Sequence, residues 1–519
     1  MGVRTMDRCS LAPIGFLVMA FCPPAWSQAT HASEPQVASP PPSTQPEGAF
    51  PGPASASVPG QKLPGPAYAP VRQDDDFSYL DGPEGSYVKD LWDPLKRIRL
   101  GEDVVLRLGG EARGRMEAVT HKRYGVGERR RGNAPPTQDT FFLHRYYYHL
   151  DVQYRKLFRV FFEGVSAFAE DVDQTPMPPP RDRWDIHQLF ADLRVLGEDI
   201  PLALRFGRQE LLYGKERLVS PLDWANVRRA WDGAKLFWAH PLIDIDVWYV
   251  RPVEVRHYRP DEYDEDIHFY GLYSTYKGIK NHGIDAYFLA LRNEGRYTNA
   301  NYRTGDIGDL SVYTLGTRFW GRTPVGAHMW DYDTEWAGQW GKASGDTIQA
   351  WMWAAQTGYS LLNWPWKPRL GIGLDWASGD DDPFDDIHGT FNQLFPLGHA
   401  WLGYLDQIAR QNIWAQNVNL TLKPHEQVTT QLAFHTFWLD KNQDALYNAS
   451  GVPVRRNVRG GVGDLIGNEL DITVTWELDA HASLLFGYSH LWTSSHFFTR
   501  ASGDAEDPDL FYVQYRYRF

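Results

Sequence analysis

The sequence predicts an all-β fold, a transmembrane antiparallel β-barrel of about eighteen strands, and three observations support this prediction. Segments in which apolar and polar residues alternate recur from about residue 104 to the end of the chain. The last of them, residues 509–519, places Phe511, Val513 and Tyr515 on one face and polar or cationic side chains on the other. The 21 tryptophans and 27 tyrosines suit the aromatic girdles that such barrels place at both membrane interfaces.

The first element, residues 1–27, has the features of a secretory signal peptide. Two arginines precede an apolar stretch from residue 11 to 21, which is too short to span a bilayer as a helix. Small residues before Gln28 provide a cleavage site. Both cysteines of the chain, Cys9 and Cys22, lie in this segment, so we expect the mature chain to have no disulfide bond and no thiolate metal site.

The next element, residues 28–76, is predicted to be a disordered linker. It is rich in Pro, Ser, Ala and Gly as far as about residue 70, and it has no hydrophobic periodicity. No second segment of this composition interrupts residues 77–519. We therefore assign residues 77–519 to a single β-barrel domain.

The barrel domain is predicted to contain an even number of strands. Candidate strands begin near residues 104, 140, 157, 186, 201, 231, 242, 267, 283, 310, 328, 347, 368, 412, 427, 468, 481 and 510. Their number is about eighteen, and sixteen is the alternative count. Short connections alternate with long polar ones, as periplasmic turns alternate with extracellular loops. A barrel of this size encloses an aqueous channel unless something plugs it.

Arginines accumulate on the predicted lumen faces of the strands and in one polar segment, residues 205–233. The predicted pore-lining and substrate-binding residues are Arg107, Arg113, Arg115, Arg145, Arg205, Arg208, Arg228, Arg229, Arg516 and Arg518. Planar guanidinium groups bind carboxylates through paired hydrogen bonds, and rings of arginine select for anions in pores. Ion pairing that only rigidifies an inward loop is the alternative interpretation of residues 205–233.

The two ends of the predicted barrel domain are expected to meet. The last strand must pair with the first to close a barrel without a free edge. This places Arg516 and Arg518 beside the arginines of the first strand. Because Glu111 and Glu117 share the lumen face of that strand, the predicted pore has mixed charge.

Several classes of function are disfavoured. The formal net charge of −13 argues against a general nucleic-acid-binding protein. The chain has no Gly-x-Ser-x-Gly, His-Glu-x-x-His or P-loop motif, so we expect no enzymatic activity, no catalytic residue and no cofactor. The acidic run at residues 380–386 lacks the spacing of an EF-hand, and we predict a solvated loop there rather than a calcium site. The following residues, 391–413, are predicted to fold into the pore or to cap it.

The sequence resembles the alginate-export family of outer-membrane proteins across nearly the whole predicted barrel. The resemblance rests on the closing strand and on the motifs Trp-Asp-Pro-Leu-Lys at 92–96, Leu-Gly-Gly-Glu-Ala-Arg at 108–113, Arg-Phe-Gly-Arg-Gln at 205–209, Asp-Trp-Ala-Asn at 223–226, Ala-Ser-Gly-Asp at 377–380 and Phe-Asn-Gln-Leu-Phe at 391–395. The Pro-rich extension makes the chain similar to the broad family rather than to the dedicated exporter of alginate-secreting pseudomonads. The resemblance implies a monomeric barrel of about eighteen strands with an electropositive constriction for an anionic polysaccharide, and by motif match it assigns Arg205 and Arg208 to the pore.

These observations predict a channel in the outer membrane of a Gram-negative cell for passive diffusion of an anionic polysaccharide such as alginate. The alternatives are an uptake porin for small anions or oligosaccharides and a non-conducting barrel that scaffolds a periplasmic complex. The expected partners are outer-membrane lipid, the polysaccharide, the barrel-assembly machinery and periplasmic secretion proteins. We expect no nucleic-acid partner and a monomeric chain.

Overall fold

The computed structural model describes residues 66, 68–83, 85–121, 124, 138–172, 180–298, 307–456, 458–461, 463–495, 497–498 and 506–519. All of these residues belong to one compact unit, Thr44–Phe519. The predicted signal peptide and most of the predicted linker lie outside the described residues.

The chain forms a closed antiparallel β-barrel of 18 strands, which confirms the predicted fold class and strand number. In chain order the barrel strands are β1 Val104–Thr120, β2 Asp139–Tyr154, β3 Phe158–Glu170, β4 Asp182–Arg194, β5 Leu202–Gln209, β6 Trp231–Ala239, β7 Ile243–Glu254, β8 Ile267–Ile279, β9 His282–Thr298, β10 Ile307–Val325, β11 His328–Ala343, β12 Asp346–Ser360, β13 Arg369–Ala377, β14 Ile413–His425, β15 Val428–Leu439, β16 Leu465–Glu477, β17 Ala482–Thr493 and β18 Asp509–Arg518. Every observed strand begins within four residues of its predicted start.

Short elements accompany the barrel strands. The helical segments with described bounds are the 3₁₀ turns Arg72–Asp74 and Ser78–Asp81 and the α-helical turn Asp93–Lys96. The short strands are Ile98–Leu100, Glu262–Tyr263, Ile387–His388, Ala445–Tyr447 and Pro453–Arg456. None of the described helical segments has the length and apolar character needed to cross a membrane.

The barrel closes where β18 pairs with β1, as the sequence predicts. Short turns, such as residues 155–157 and 280–281, lie at the same end of the barrel as the C-terminus. In outer-membrane barrels this is the periplasmic end. The long connections 210–230, 378–412 and 440–464 lie at the opposite, extracellular end.

The alternation of side chains sets what faces the lipid and what faces the lumen. On β18, Phe511 and Tyr515 are 42 and 43 % exposed, whereas Tyr512 between them is 1 % exposed. On β11, Asp333 and Glu335 are buried inside the barrel. Apolar side chains thus cover the outer surface, and charged side chains find partners among one another inside it.

A segment that precedes β1, which we call the N-terminal insert (residues 68–97), enters the lumen from the periplasmic end. Tyr68 bonds to His481 of a periplasmic turn at 2.8 Å, and the carbonyl oxygen of Gln73 accepts a hydrogen bond from Arg159 of β3 at 2.6 Å. The folded part of the chain therefore begins before residue 77, the boundary that the sequence predicts. The Pro- and Gly-rich composition resembles that of a linker, but Gln73 and its neighbours are buried against the barrel wall.

Two extracellular connections, which we call inner loop 1 (residues 210–230) and inner loop 2 (residues 378–412), fold back into the lumen. They pair with each other through the Phe395 N–H, which donates to the Leu218 carbonyl at 2.9 Å. The Trp401 indole N–H donates to the Lys215 carbonyl at 3.0 Å. The inward folding of residues 391–413 agrees with the prediction from sequence, and the two loops together narrow the barrel.

Candidate functional site

Three arginines form a row across adjacent strands inside the barrel. Arg145 on β2 lies directly opposite Arg113 on β1, and Arg113 lies directly opposite Arg516 on β18. Side chains opposite each other on one face of a sheet are about 5 Å apart at Cβ, and like charges in this arrangement repel. The row therefore needs acceptors close by.

Two carboxylates provide part of this compensation. Arg145 donates to Glu111 Oε1 at 2.6 Å and to Asp223 Oδ1 at 2.8 Å. Asp223 Oδ2 lies 3.6 Å from Arg516. Burial opposes ionisation of Asp223, but the adjacent arginines, Arg145 first among them, hold the pKa of this carboxyl well below its usual range.

Inner loop 1 supplies the remaining acceptors. Arg113 forms no ion pair within the part of the chain that the structure describes; it donates to the backbone carbonyls of Asp223 at 2.8 Å and Ala225 at 2.7 Å. Arg228 of the same loop donates to Asp223 at 2.6 Å and to both oxygens of Glu210 at 2.6 and 2.7 Å. Carbonyl oxygens thus accept hydrogen bonds from the two terminal nitrogens of Arg113 without cancelling its charge.

These direct contacts join six guanidinium groups and three carboxylates into one network, which we call the arginine cluster. Its members are Arg72, Arg113, Arg145, Arg228, Arg516 and Arg518 together with Glu111, Glu210 and Asp223. Among its members, positive charges therefore outnumber negative charges by three, although Arg113 is the one member arginine without an ion pair in the described part of the chain. Because charges interact more strongly in a narrow, poorly hydrated lumen than in water, the cluster is suited to hold anions.

One member of the arginine cluster comes from the N-terminal insert. Arg72 is 3 % exposed, pairs with Glu111, and lies 5.5 Å from the centre of the Tyr147 ring. The carbonyl oxygens of residues 69 and 70 accept hydrogen bonds from Arg518 and Arg228, both at 3.0 Å. The insert therefore uses hydrogen-bond donors of the cluster that face the lumen.

The two arginines assigned by motif match, Arg205 and Arg208, form separate ion pairs. Arg205 bonds to Asp192 at 2.7 and 2.9 Å, and Arg208 bonds to Asp232 at 2.8 and 3.0 Å. Gly207 between them has φ +128°, and a Cβ there would lie 2.2 Å from a backbone carbonyl oxygen of β4, so the motif requires glycine. Neither arginine contacts the cluster directly, and their role in the pore stays a prediction.

Three other predicted pore residues also lie inside the barrel but outside the cluster. Arg107 lies 3.8 Å from Asp151, and Arg115 lies 2.7 Å from Glu117. Arg229 donates to one backbone carbonyl of each inner loop, at 2.8 and 2.9 Å, and so ties the two loops together. Burial lowers the pKa of Arg229 to about 10.

A cavity of about 390 Å³ borders the cluster on its extracellular side. Its wall includes Arg115, Glu117, Trp224, Asn226, His399 and Tyr404. The Trp224 and His399 rings stack with centres 3.8 Å apart, and His399 stacks on Tyr404 at 4.6 Å. The guanidinium of Arg115 lies 3.7 Å from the centre of the Trp224 ring. Flat rings beside a few polar and charged groups are typical of a site for a polar organic ligand.

Two parts of this site were not predicted from the sequence. Arg72 ends a segment with linker composition, and the only signal was the apolar run Tyr-Ala-Pro-Val at 68–71 that precedes it. Trp224 and His399 lie on different loops, so nothing local in the sequence indicates that they stack. Among the described residues, the groups whose spacing suits a metal ion lie outside the acidic run 380–386.

Comparisons with known proteins agree with this architecture. The family model for alginate export matches residues 104–511. No curated relative matches the chain significantly in sequence. Among solved structures from Pseudomonas aeruginosa, OccK8 (OprE) is similar with a TM-score of 0.55 at 10% identity over 80% of this chain and 98% of that one. The outer membrane protein OpdK gives 0.53 at 10% identity, over 79% of this chain and 98% of that one.

At such low identity these structures support the fold alone, whereas the family match covers most of the chain. Together with the closed barrel, the matches place the protein in the outer membrane as a barrel channel. The chain belongs to the alginate-export family of outer-membrane proteins.

Proposed function

We propose that the protein is a non-enzymatic channel through which an anionic polysaccharide, such as the polyuronate alginate, crosses the outer membrane passively. The observation that carries this proposal is the row Arg145, Arg113 and Arg516 within a cluster that has more guanidinium groups than carboxylates. Sugar acids carry one carboxylate per residue at regular intervals. A row of guanidinium groups replaces the water around each carboxylate as it passes.

Transport requires that these contacts stay weak enough to be released. The carboxylates of Glu111 and Asp223 already occupy several guanidinium donors, so an incoming carboxylate competes for them rather than binding to free arginines. This competition gives the substrate several weak contacts with the arginines in place of one tight binding site. Weak contacts are required for conduction, because the substrate must also be released. The cavity beside Trp224 and His399 offers a second contact region on the extracellular side of the cluster.

The N-terminal insert must leave the cluster before a polymer passes. Arg72 and the carbonyls of residues 69 and 70 bond to the same side chains that would receive the substrate. The conducting state is therefore one in which the insert has withdrawn from Glu111, Arg228 and Arg518. No nucleotide-driven step is part of this proposal, and the driving force is synthesis of the polymer or its gradient.

The second candidate function is uptake of small anions or oligosaccharides. The cavity of about 390 Å³ favours it, because a cavity of this volume suits a ligand of a few sugar units better than a long chain. The non-conducting scaffold is the third candidate, and the experiment below separates all three.

The test is single-channel recording in planar bilayers with a salt gradient. We expect a reversal potential that indicates anion preference, and we expect long polyuronate chains to block the current from the periplasmic side. Arg113→Gln removes a charge without exposing a carboxylate, so anion preference should fall. Arg369→Gln is the matched control, because Arg369 pairs with Asp331 away from the cluster.

Each outcome has a clear meaning. A barrel that never conducts, even without the insert, would overturn both channel functions. Block by short but not by long polyuronates would favour uptake of oligosaccharides. A reversal potential that Arg113→Gln and Arg369→Gln shift equally would show that the cluster does not select ions.

A further inference from the structure

Three aspartates meet at the extracellular end of β4. One carboxylate oxygen from each of Asp182, Asp185 and Asp261 lies within 4.8 Å of one from each of the others. Asp182 and Asp185 belong to the beginning of β4, and Asp261 belongs to the connection between β7 and β8. Two oxygens on opposite sides of a calcium ion, each bound at about 2.4 Å, are about 4.8 Å apart. The present spacing therefore suits a shared cation.

A bulge in β4 brings the two strand aspartates together. Residues three apart on a regular strand face opposite ways. Here the pairing of β3 with β4 shifts between Val165 and Ser166, which leaves Trp184 without a partner, and Trp184 has φ +58°. A bulky residue in this left-handed conformation is unfavourable, so the surrounding structure must hold it there. The bulge turns Asp185 toward Asp182.

An oxygen without a partner points to a missing ligand. Asp182 is 1 % exposed, and its Oδ2 atom has no hydrogen-bond partner among the described residues. A buried carboxylate oxygen without a donor is costly. The other two aspartates are held in place by the backbone: the Asp261 N–H donates to Asp185 Oδ2 at 2.7 Å, and Asp261 Oδ1 accepts from the Arg256 N–H at 2.7 Å.

The local charge is strongly negative. Arg208 is the guanidinium that acts on Asp182 and Asp261, and it already forms paired hydrogen bonds with Asp232. The guanidinium of Arg208 is thus shared among four carboxylates, those of the three aspartates and Asp232. A divalent cation would remove most of the repulsion among these carboxylates.

We propose that Asp182, Asp185 and Asp261 form a divalent-cation site at the extracellular mouth, which takes calcium. Calcium accepts irregular sets of six to eight oxygens with carboxylates and water, whereas magnesium demands a near-ideal octahedron. The aspartates are all oxygen ligands, and two of them are partly open to water. The bound ion clamps the connection of residues 255–266 onto β4, next to the ion pair of Arg208.

The test uses the full mature chain refolded in detergent without lipopolysaccharide, and calcium chloride as the probe. Titration calorimetry is expected to show one calcium ion per chain with a dissociation constant of roughly 0.1–1 mM, the range of extracellular calcium modules. Calcium should also slow tryptic cleavage after Arg256, which lies in the clamped connection. Asp261→Asn should weaken binding at least tenfold and remove this protection.

Glu163→Gln is the matched control, because Glu163 belongs to the other group of metal-compatible residues, with His187 and Glu210. It should bind calcium like the unaltered chain. Asp261→Asn can decide the question by itself, because Asp261 lies in the connection between β7 and β8 and not in a barrel strand. No calcium binding at millimolar concentration would overturn the proposal, as would binding that Asp261→Asn leaves unchanged or that Glu163→Gln abolishes.

Discussion

Replacing Arg72 with alanine should release the N-terminal insert from the lumen. The side chain of Arg72 forms a buried ion pair with Glu111 and lies 5.5 Å from the centre of the Tyr147 ring. Glu111 keeps Arg145 at 2.6 Å and Arg518 at 3.2 Å after the substitution, so no carboxylate is left alone in the barrel wall. The substitution should therefore weaken docking of the insert and leave the stability of the barrel unchanged.

The size of this effect follows from the contacts. A hydrogen bond to a charged group contributes about 2 kcal/mol, and about 1.4 kcal/mol changes an equilibrium tenfold. Loss of the Arg72–Glu111 contact should thus raise the ratio of released to docked insert roughly thirtyfold. Single-channel recordings of the mature chain would show this as a matching rise in the frequency of large openings.

Arg99→Ala is the matched control for this experiment. Arg99 also lies near the N-terminal region and pairs with an aspartate, Asp81, but its side chain is 55% exposed and outside the lumen. Exposed pairs contribute little, so the opening frequency should stay the same. If Arg72→Ala and Arg99→Ala open equally often, or if removal of residues 28–97 leaves the conductance unchanged, the insert does not restrict the channel.

Two further predictions concern the same pathway. Burial raises the pKa of Asp74, in the insert, to about 6, so the docked state holds its proton between about pH 4 and 6 while the released state does not. Docking should therefore weaken as the pH rises through this window, so large openings should become severalfold more frequent. Asp74→Asn should reduce this dependence without abolishing it, because burial also raises the pKa of Asp75. Trp224→Ala should weaken block by short polyuronates about tenfold, because the Trp224 ring holds His399 and the Arg115 guanidinium at the cavity wall, with little change in conductance to simple salts. Equal block by both proteins would exclude the cavity as a contact site.

The barrel could be predicted because each strand is specified by a pattern of apolar and polar residues within its own short segment of the sequence. Apolar and charged residues alternate on β1 and β18. Because a shift of one residue would turn the apolar side chains of a strand away from the membrane, the alternation determines the register of each strand. The same alternation indicated that Arg113 and Arg145 face inward. Pairing of the last strand with the first followed from the need to close the edge.

The contents of the barrel were harder to predict, because they depend on contacts between distant segments. The insert is held by Arg72 and by backbone carbonyls. Every residue has a backbone carbonyl, so these contacts cannot be predicted from the amino-acid composition of the segment. The bulge at Trp184 moves the Asp185 side chain to the other face of the strand. A prediction that assumes strict alternation of faces cannot show this change. The partners of Arg205 and Arg208 are likewise set by pairing between strands, so their motif alone could not distinguish an ion pair from a pore contact.

The row of arginines across the closing seam also bears on how the barrel assembles. Arg113 and Arg516 are brought face to face only when β18 meets β1, and they repel until Asp223 and the carbonyls of inner loop 1 reach them. Inner loop 1 joins β5 to β6, far from the seam in the chain. The final step of insertion should therefore wait for this loop to fold inward, so that a chain with a defective loop would stall as an open sheet on the assembly machinery instead of reaching the membrane as a leaky pore.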